Sequence, residues 1–229
     1  KTAFLSLSDM GKALPSYEEI PIACRMDEAV QSEYKRIENA LVRVLRSDRR
    51  VAQKILSAYL NLLTVYPDQP YDQKRIFYPD SDEPIVEPEN IGDTDTLGEK
   101  EQKTLEIVKA AIQNDEHALI YTSWVRTDSQ QKLKKLLTDE GYRTEILTDK
   151  IKTTDREDWV QKKLAAGMQV LIVNPSLVET GLDLNAFTTL VFYSMGYKLF
   201  TLRQASRRSW RINQKASAVK VYMLYYEDT

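Results

Sequence analysis

Residues 169–174 read "QVLIVN", a run of four apolar side chains that ends in an amide. Two similar runs are "ALIYTS" (118–123) and "TTLVFYS" (188–194). Apolar runs without polar alternation predict strands that are buried on both faces, as in a parallel sheet. Hydroxyl or amide groups follow each run, and ligands of such sheets bind beyond the carboxyl ends of the strands. The polar residues expected at this edge are Thr122, Ser123, Asn174, Ser176 and Ser194.

Segments with helical spacing of apolar residues alternate with these strands. Such alternation predicts an α/β fold in which a parallel sheet is covered by helices on both faces. The predicted strands are 17–24, 118–123, 142–148, 169–174, 188–194 and 218–226. The predicted helices that alternate with the later strands are 99–114, 127–140, 153–167 and 199–210.

The chain before residue 99 has a different pattern. Apolar residues at helical spacing over 27–46 and 50–65 predict a helical hairpin. The segment that follows holds five of the eight prolines, and eleven acidic but only three basic residues lie between Asp68 and Glu101. We interpret it as an irregular acidic surface loop. The predicted regions are a strand and helical hairpin at 1–66, an acidic Pro-rich loop at 67–98 and the sheet domain at 99–229.

Composition excludes several classes of function. The single cysteine, Cys24, rules out an intramolecular disulfide and fits a reducing cytoplasm, so we expect a cytoplasmic protein. The single histidine, His117, and the lack of zinc-ligand spacing predict no metal site formed by this chain alone. No apolar run has the length needed to cross a bilayer, so we expect no membrane partner. The first residue is Lys1, which suggests a fragment of a longer polypeptide.

A cationic segment stands out in a chain whose net charge is only −2. Seven basic residues and no acidic one lie between Asp183 and Glu227, and "QASRRSWRINQ" (204–214) holds three of them. Gln204, Arg208 and Arg211 are spaced so that they share one stripe of a helix. Such a stripe is either a solvated or docking face or a phosphate site. We favour the phosphate site, because the stripe follows a buried strand at the edge expected to be functional.

A second candidate, "SLVETGLDLN" (176–185), lies just beyond a buried strand. The backbone at Gly181 could present N–H groups to a phosphate, and Asp183 could accept from a ribose hydroxyl. Equally, Asp183 could cap a helical turn, and spacing alone does not decide between the two. No G-x-x-x-x-G-K-[ST] loop occurs in the chain. A bound nucleotide would therefore need another domain to hold its phosphates and magnesium.

Five segments within residues 97–226, taken in their order along the chain, resemble the C-terminal RecA-like lobe of superfamily-two helicases. Among those helicases, the segments resemble the Swi/Snf-like DNA-translocating ATPases most. The arginine segment resembles the motif Q-A-x-[GD]-R-x-H-R-I-G-Q, with Trp210 at the histidine position. The resemblance implies that Arg208 and Arg211 are arginine fingers that reach the γ-phosphate of ATP. The implied nucleotide contacts are Gln204, Gly181 and Asp183. The implied contacts to the DNA backbone are Thr122, Ser123 and Ser176.

The resemblance further implies the C-terminal motor lobe of an ATP-dependent DNA helicase or translocase. ATP and Mg would be held mainly by an N-terminal RecA-like lobe of the same polypeptide, so this chain alone would not hydrolyse ATP. DNA would be contacted through its backbone, with little sequence preference. A second hypothesis is a non-catalytic module that uses the basic segment to bind nucleic acid or a protein. The sequence leaves open whether DNA strands are separated or only tracked.

Overall fold

The computed structural model describes residues 14–123, 129–178, 182–195, 205, 207–210 and 216–229. The strands are β1 (Ser16–Cys24), β2 (Ile76–Phe77), β3 (Pro84–Val86), β4 (His117–Tyr121), β5 (Thr144–Leu147), β6 (Val170–Val173), β7 (Phe187–Phe192) and β8 (Ala218–Tyr226). The helices are α1 (Glu28–Ser47), α2 (Arg49–Val65), α3 (Glu99–Gln113), α4 (Ser129–Asp139) and α5 (Arg156–Ala165). Each predicted strand is therefore present, within two residues at either end.

In the described part of the chain, six strands form one sheet in the order β1-β8-β7-β4-β6-β5. The pairs β4 with β6, β4 with β7, β5 with β6 and β7 with β8 are all parallel. β1 is parallel to β8, because the Ser16 N–H bonds the Ser217 carbonyl at their starts and the Glu227 N–H bonds the Cys24 carbonyl at their ends. The predicted parallel α/β sheet is confirmed.

The central strands form the core of this sheet. All four residues of β6 and all six of β7 are buried. Since successive side chains of a strand point to opposite faces, both faces of the sheet are covered. Each fully buried aliphatic or aromatic side chain contributes roughly 1.5–3 kcal/mol relative to an exposed one. This is why the apolar runs, rather than the helices, identify the fold.

The chain divides into two compact units. The described residues of 1–23 and 100–225 form the first, which we call the sheet unit. Residues 24–99 and 226–229 form the second, which we call the helical unit. The division predicted from sequence, at 1–66, 67–98 and 99–229, stays a prediction. In the described residues, no helix is long and apolar enough to span a membrane.

The helical unit has a core of its own between α1 and α2. Its buried residues on the two helices recur at helical spacing and include Ile37, Leu41, Ile55, Tyr59 and Leu62. The Asp48 carboxylate caps α2 by accepting from the N–H groups of Arg50 and Val51 at 2.9 and 3.1 Å. The predicted helical hairpin is confirmed.

The prediction that the Pro-rich segment contains no regular element was wrong. β2 and β3 pair as an antiparallel hairpin, with Ile76 opposite Val86. Both side chains are buried in the core of the helical unit. Ile76 and Val86 are thus a cross-strand pair, and their burial offsets the conformational entropy lost by the hairpin.

A buried carboxylate fixes the rest of this segment to α1. Glu33 is 5% exposed, and it accepts from Arg36 through two hydrogen bonds of 2.6 Å. It also accepts from the Glu89 N–H at 2.9 Å, while the Tyr66 hydroxyl donates to the Glu89 carbonyl at 2.9 Å. Burial by itself raises the pKa of Glu33, but the bonds from Arg36 and Glu89 prevail and hold that pKa below its usual range.

Candidate functional site

Polar groups that follow three neighbouring strands meet at the carboxyl edge of the sheet. The Ser123 N–H donates to the Ser194 Oγ at 2.8 Å, and the Ser123 Oγ donates to the Ser194 carbonyl at 3.0 Å. The Asn174 Nδ2 donates to the Ser123 carbonyl at 3.1 Å. These bonds join the ends of β4, β6 and β7, as the sequence predicted. We call Ser123, Asn174, Ser176 and Ser194 the carboxyl-edge cluster.

Within this cluster, Ser176 is the exposed member. Its N–H and its Oγ both donate to Asn174 Oδ1, at 2.9 and 2.6 Å. Ser123 and Asn174 are half-buried, whereas Ser194 is only 2% exposed. The cluster therefore presents hydroxyl groups from a framework whose side chains are already oriented by one another. Hydroxyl and amide groups of this kind can bond phosphate oxygens of a nucleic-acid backbone.

Thr122, the third residue expected at the DNA backbone, lies deeper than the cluster. It is fully buried, its Oγ1 accepts from Gln130 Nε2 at 2.9 Å, and its N–H donates to the Val173 carbonyl at 3.1 Å. Thr122 thus connects the end of β4 with α4 and with β6. In this structure its hydroxyl group is directed into the protein, away from solvent.

A charged network that sequence reasoning missed lies behind the cluster. Lys132 Nζ of α4 and Glu101 Oε1 of α3 are 2.7 Å apart, and their side chains are 7% and 3% exposed. The Tyr193 hydroxyl donates to the same glutamate oxygen at 2.9 Å. Tyr193 directly precedes Ser194, so the network supports the loop that carries a member of the cluster. In the sequence both charges read as ordinary solvated positions of amphipathic helices.

The arginine segment differs from the prediction. Ala205 is helical, but Arg207–Trp210 form a turn, so the helix predicted over 199–210 was wrong at its end. The Arg208 N–H bonds the Ala205 carbonyl at 3.2 Å, and the Trp210 N–H bonds the Arg207 carbonyl at 3.3 Å. These bonds span three residues rather than four, which tightens the chain relative to an α-helix. We call Ala205 and Arg207–Trp210 the arginine turn.

Among the described residues, three hydrogen bonds from side chains attach the arginine turn to distant parts of the sheet unit. The Tyr121 hydroxyl donates to the Ala205 carbonyl at 3.0 Å. The Ser209 Oγ donates to the Leu184 carbonyl at 3.0 Å, and the Trp210 Nε1–H donates to the Pro15 carbonyl at 2.8 Å. Because these partners are far away in sequence, a local helical pattern could not reveal the turn.

Two of these bonds, those of Ser209 and Trp210, lie at the opposite edge of the sheet. Leu184 stands three residues before β7, and Pro15 directly precedes β1. The starts of parallel strands share one edge, so Ser209 and Trp210 lie at the amino edge. The start of the turn instead reaches the carboxyl end of β4, because the Tyr121 hydroxyl donates to the Ala205 carbonyl. The expected position of the arginines stays a prediction.

The structure distinguishes the adjacent arginines. Arg207 is exposed, and its Cζ lies 5.8 Å from the centroid of the Trp210 ring. Arg208 is half-buried and faces the Tyr121 side chain closely enough to influence its ionisation. Burial raises the pKa of Tyr121, and the positive charge of Arg208 partly opposes that rise. Arg211 and Gln204 lie outside the described residues.

Asp183 is brought next to the arginine turn. It is half-buried and directly precedes Leu184, whose carbonyl accepts from Ser209. One Asp183 oxygen, Oδ1, accepts from the Asn185 N–H at 3.0 Å. The capping role weighed for Asp183 is therefore present, and its nucleotide role stays a prediction. Gly181, the other residue expected in this motif, lies outside the described residues.

The charged groups of the candidate site are few among the described residues. In the residues that the structure describes, no three His, Cys, Asp or Glu side chains are grouped as they would be around a metal ion. The arginine turn carries the guanidinium of Arg208, and the segment that it meets through the bond from Ser209 to Leu184 carries the carboxylate of Asp183. A guanidinium is suited to a phosphate and a carboxylate to a ribose hydroxyl.

Comparison with known families identifies the class of this domain. The family described as "Helicase conserved C-terminal domain" matches residues 99–213, half of the chain. The chain belongs to this family, and it is a helicase C-terminal domain of RecA-like fold. No protein of curated function matches the sequence.

Solved structures confirm the fold. The C-terminal part of the Fun30 ATPase domain is similar with a TM-score of 0.72 and 13% identity, over 94% of this chain and 86% of that one. The C-terminal domain of a Sulfolobus solfataricus SWI2/SNF2 ATPase has a TM-score of 0.64 and 16% identity, over 93% and 81%. The core of a Sulfolobus solfataricus SWI2/SNF2 ATPase in complex with dsDNA has a TM-score of 0.69 and 18% identity. This chain covers 42% of that core.

Proposed function

We propose that this chain is the C-terminal motor lobe of an ATP-dependent DNA helicase or translocase, and that it works with an N-terminal RecA-like lobe. The observation that carries the proposal is the bond from Ser209 to Leu184, which brings the arginine turn beside the segment of Asp183. The arginine turn and the segment of Asp183, which are separate in sequence, are thereby neighbours in the structure. Family membership supports the same assignment.

In this proposal ATP and Mg bind mainly to the N-terminal lobe, since this chain has no phosphate loop. Arg208 and Arg211 act as arginine fingers that stabilise the charge developing on the γ-phosphoryl group. Gln204, Gly181 and Asp183 contact the nucleotide, with Asp183 accepting from the ribose. Because the N-terminal lobe supplies the phosphate and metal contacts, the chain alone does not hydrolyse ATP. Bound Mg supplies charge neutralisation at the phosphates.

DNA binds at the other edge, where Ser123 and Ser176 of the carboxyl-edge cluster contact its backbone. Thr122 would join them only if its bond from Gln130 opened. Charge supports this assignment to the sheet unit. Residues 1–23 and 100–225 hold 22 basic and 17 acidic residues, whereas 24–99 and 226–229 hold 10 and 17. A net positive unit attracts a polyanion and a net negative one repels it. The solved SWI2/SNF2 core in complex with dsDNA is consistent with such a partner.

The test compares two adjacent arginines in a polypeptide that carries both lobes. Arg208→Ala is expected to lower DNA-stimulated ATP hydrolysis by about 100-fold or more, since an arginine finger is worth roughly 10³–10⁵ in rate in GTPases. Arg207→Ala removes the same charge from the exposed neighbour and is the matched control. It is expected to leave the rate within about twofold, as exposed charges contribute little. Normal turnover in Arg208→Ala refutes the finger assignment. If the unsubstituted two-lobed polypeptide binds DNA but does not hydrolyse ATP, a non-catalytic module is favoured instead.

A further inference from the structure

Trp210 is the most firmly anchored residue of the arginine turn. Its indole N–H donates to the Pro15 carbonyl at 2.8 Å, and its ring lies 5.2 Å from the Tyr17 ring, at an angle of 44°. Both rings pack against the core of the sheet unit. Pro15 and Tyr17 belong to the start of β1, about 195 residues away in sequence. Trp210 therefore fixes the turn to the start of β1, which is distant in sequence.

The position of Trp210 between the two proposed fingers gives this anchor its importance. Arg208 lies two residues before it and Arg211 one residue after it. The backbone here is a turn without the four-residue ladder of an α-helix, so local hydrogen bonds restrain it less. The path of the chain past Arg208 is set by contacts outside the turn. Of these, the indole contributes a hydrogen bond, an aromatic contact and packing together.

The indole also holds the exposed arginine. Arg207 lies over the Trp210 ring, with its Cζ 5.8 Å from the ring centroid, and the Tyr17 ring contacts the same indole. A guanidinium over an indole is attracted to the negative face of the ring. This contact keeps Arg207 at the ring, so the two neighbouring guanidinium groups have distinct places. A smaller side chain at position 210 would leave Arg207 without this partner.

We propose that Trp210 is a positioning residue for ATP hydrolysis. It acts through Arg208 by fixing the turn to β1, so that this guanidinium group is oriented before the two lobes meet around ATP. This inference rests on the proposed function. Preorganisation of this kind carries a large rate effect, because a displacement of about 1 Å can cost roughly 100-fold in rate. The motif that the sequence resembles has histidine at this position, so the indole is a feature of this chain.

The experiment is a double-mutant cycle in the two-lobed polypeptide. Trp210→Ala is expected to lower the kcat of DNA-stimulated ATP hydrolysis by about 10- to 100-fold. The KM for ATP should change by no more than about twofold, because most ground-state contacts belong to the other lobe. In the Arg208→Ala background the same substitution should cost less than about twofold, since residues that act as a unit are not additive.

Two further variants separate positioning from folding. Trp210→Phe keeps an aromatic ring beside Tyr17 and loses the donor to Pro15, so it should fold and show a smaller loss of kcat that also vanishes in the Arg208→Ala background. Trp159→Ala is the matched control, because Trp159 packs partly buried against the same core. It should lower the melting temperature and leave kcat per folded molecule unchanged.

The outcomes distinguish this inference from the function on which it rests. If Arg208→Ala hydrolyses ATP normally, the proposed function fails and the positioning role fails with it. If Arg208→Ala is inactive but Trp210→Ala and Trp210→Phe keep a normal kcat, only the positioning role is overturned. Equal losses with and without Arg208 would also overturn it, since they show an effect that does not pass through that arginine.

Discussion

The two edges of the sheet are held in different ways. At the carboxyl edge, a buried ion pair between Lys132 and Glu101 supports the loop of Tyr193, which leads into the cluster. At the amino edge, Ser209 and Trp210 of the arginine turn are held by neutral hydrogen bonds to the main-chain carbonyls of Leu184 and Pro15. Removing one partner of a buried ion pair and removing one partner of a neutral hydrogen bond lower the free energy of unfolding by very different amounts.

The difference teaches where each region is vulnerable. Removing one partner of a buried ion pair leaves the other charge uncompensated and costs about 3–5 kcal/mol. Removing one neutral hydrogen bond costs about 1 kcal/mol. The carboxyl edge should therefore depend strongly on one pair of residues. The arginine turn should depend modestly on each of several anchors, so that its position can be adjusted without unfolding the lobe.

The largest expected effect is on stability. Lys132→Met should lower the free energy of unfolding by about 3–5 kcal/mol, because it leaves the Glu101 carboxylate buried without its ammonium partner. Urea unfolding followed by circular dichroism measures the change. Lys134→Met on the same helix is the control, since its 3.4 Å pair with Glu145 is partly exposed and should cost under about 1 kcal/mol. Equal effects would show that the buried pair does not support this edge.

The next effect concerns DNA. Asn174→Ala removes the amide that bonds both Ser123 and Ser176, so the cluster loses its central connection. Affinity for duplex DNA should fall by about three- to tenfold, the equivalent of one net hydrogen bond. Fluorescence anisotropy of a labelled duplex at fixed salt measures it. Asn114→Ala is the control, because that exposed amide caps the end of α3 by bonding the Ala110 carbonyl. Unchanged affinity in Asn174→Ala would place DNA elsewhere.

A smaller effect is expected at the amino edge. Ser209→Ala removes the bond to the Leu184 carbonyl, which still accepts from the Phe187 N–H at 3.0 Å. The free energy of unfolding should therefore fall by only about 1 kcal/mol. Ser57→Ala, at an exposed position of α2, should leave it within about 0.5 kcal/mol. A loss above about 3 kcal/mol in Ser209→Ala would remove the contrast between the two edges.

The smallest effect is a dependence on pH in the helical unit. The pKa of Glu33 is lowered in the folded chain, although burial works against the bonds from Arg36 and Glu89. A lowered folded-state pKa contributes stability that is complete above the unfolded value. That contribution is lost as pH falls through the folded value. Melting temperatures between pH 6 and pH 3 should fall less steeply in Glu33→Gln than in the parent chain. An identical slope would show that Glu33 is not linked to folding.

Much of the sheet unit was predictable because its signal is local. Strands β4, β6 and β7 are buried on both faces, so their own residues carry the pattern. The stop after α4 was also predictable, because Gly141 takes a φ of 89°, which glycine adopts without strain. The meeting of Ser123, Asn174 and Ser194 followed from parallel topology alone, since the ends of parallel strands share an edge.

Other features could not be predicted, because their partners are distant in sequence. The hairpin of β2 and β3 depends on a pair, Ile76 and Val86, that becomes apparent only against the helical core. The buried pair of Lys132 and Glu101 joins two helices whose patterns separately suggest exposure. The arginine turn departs from a helix because its anchors, Pro15 among them, lie far along the chain.

By itself the sequence determined which segments form the six-stranded sheet and that this sheet is parallel. It also determined that a cluster of arginines follows the buried strand β7. These are consequences of short-range patterns of apolar and charged side chains. The tertiary structure alone decided that the arginine turn meets the segment of Asp183, through the bond from Ser209 to the Leu184 carbonyl. The physical reason is that hydrogen bonds such as those to Leu184 and Pro15 form only once the strands have brought distant carbonyls together.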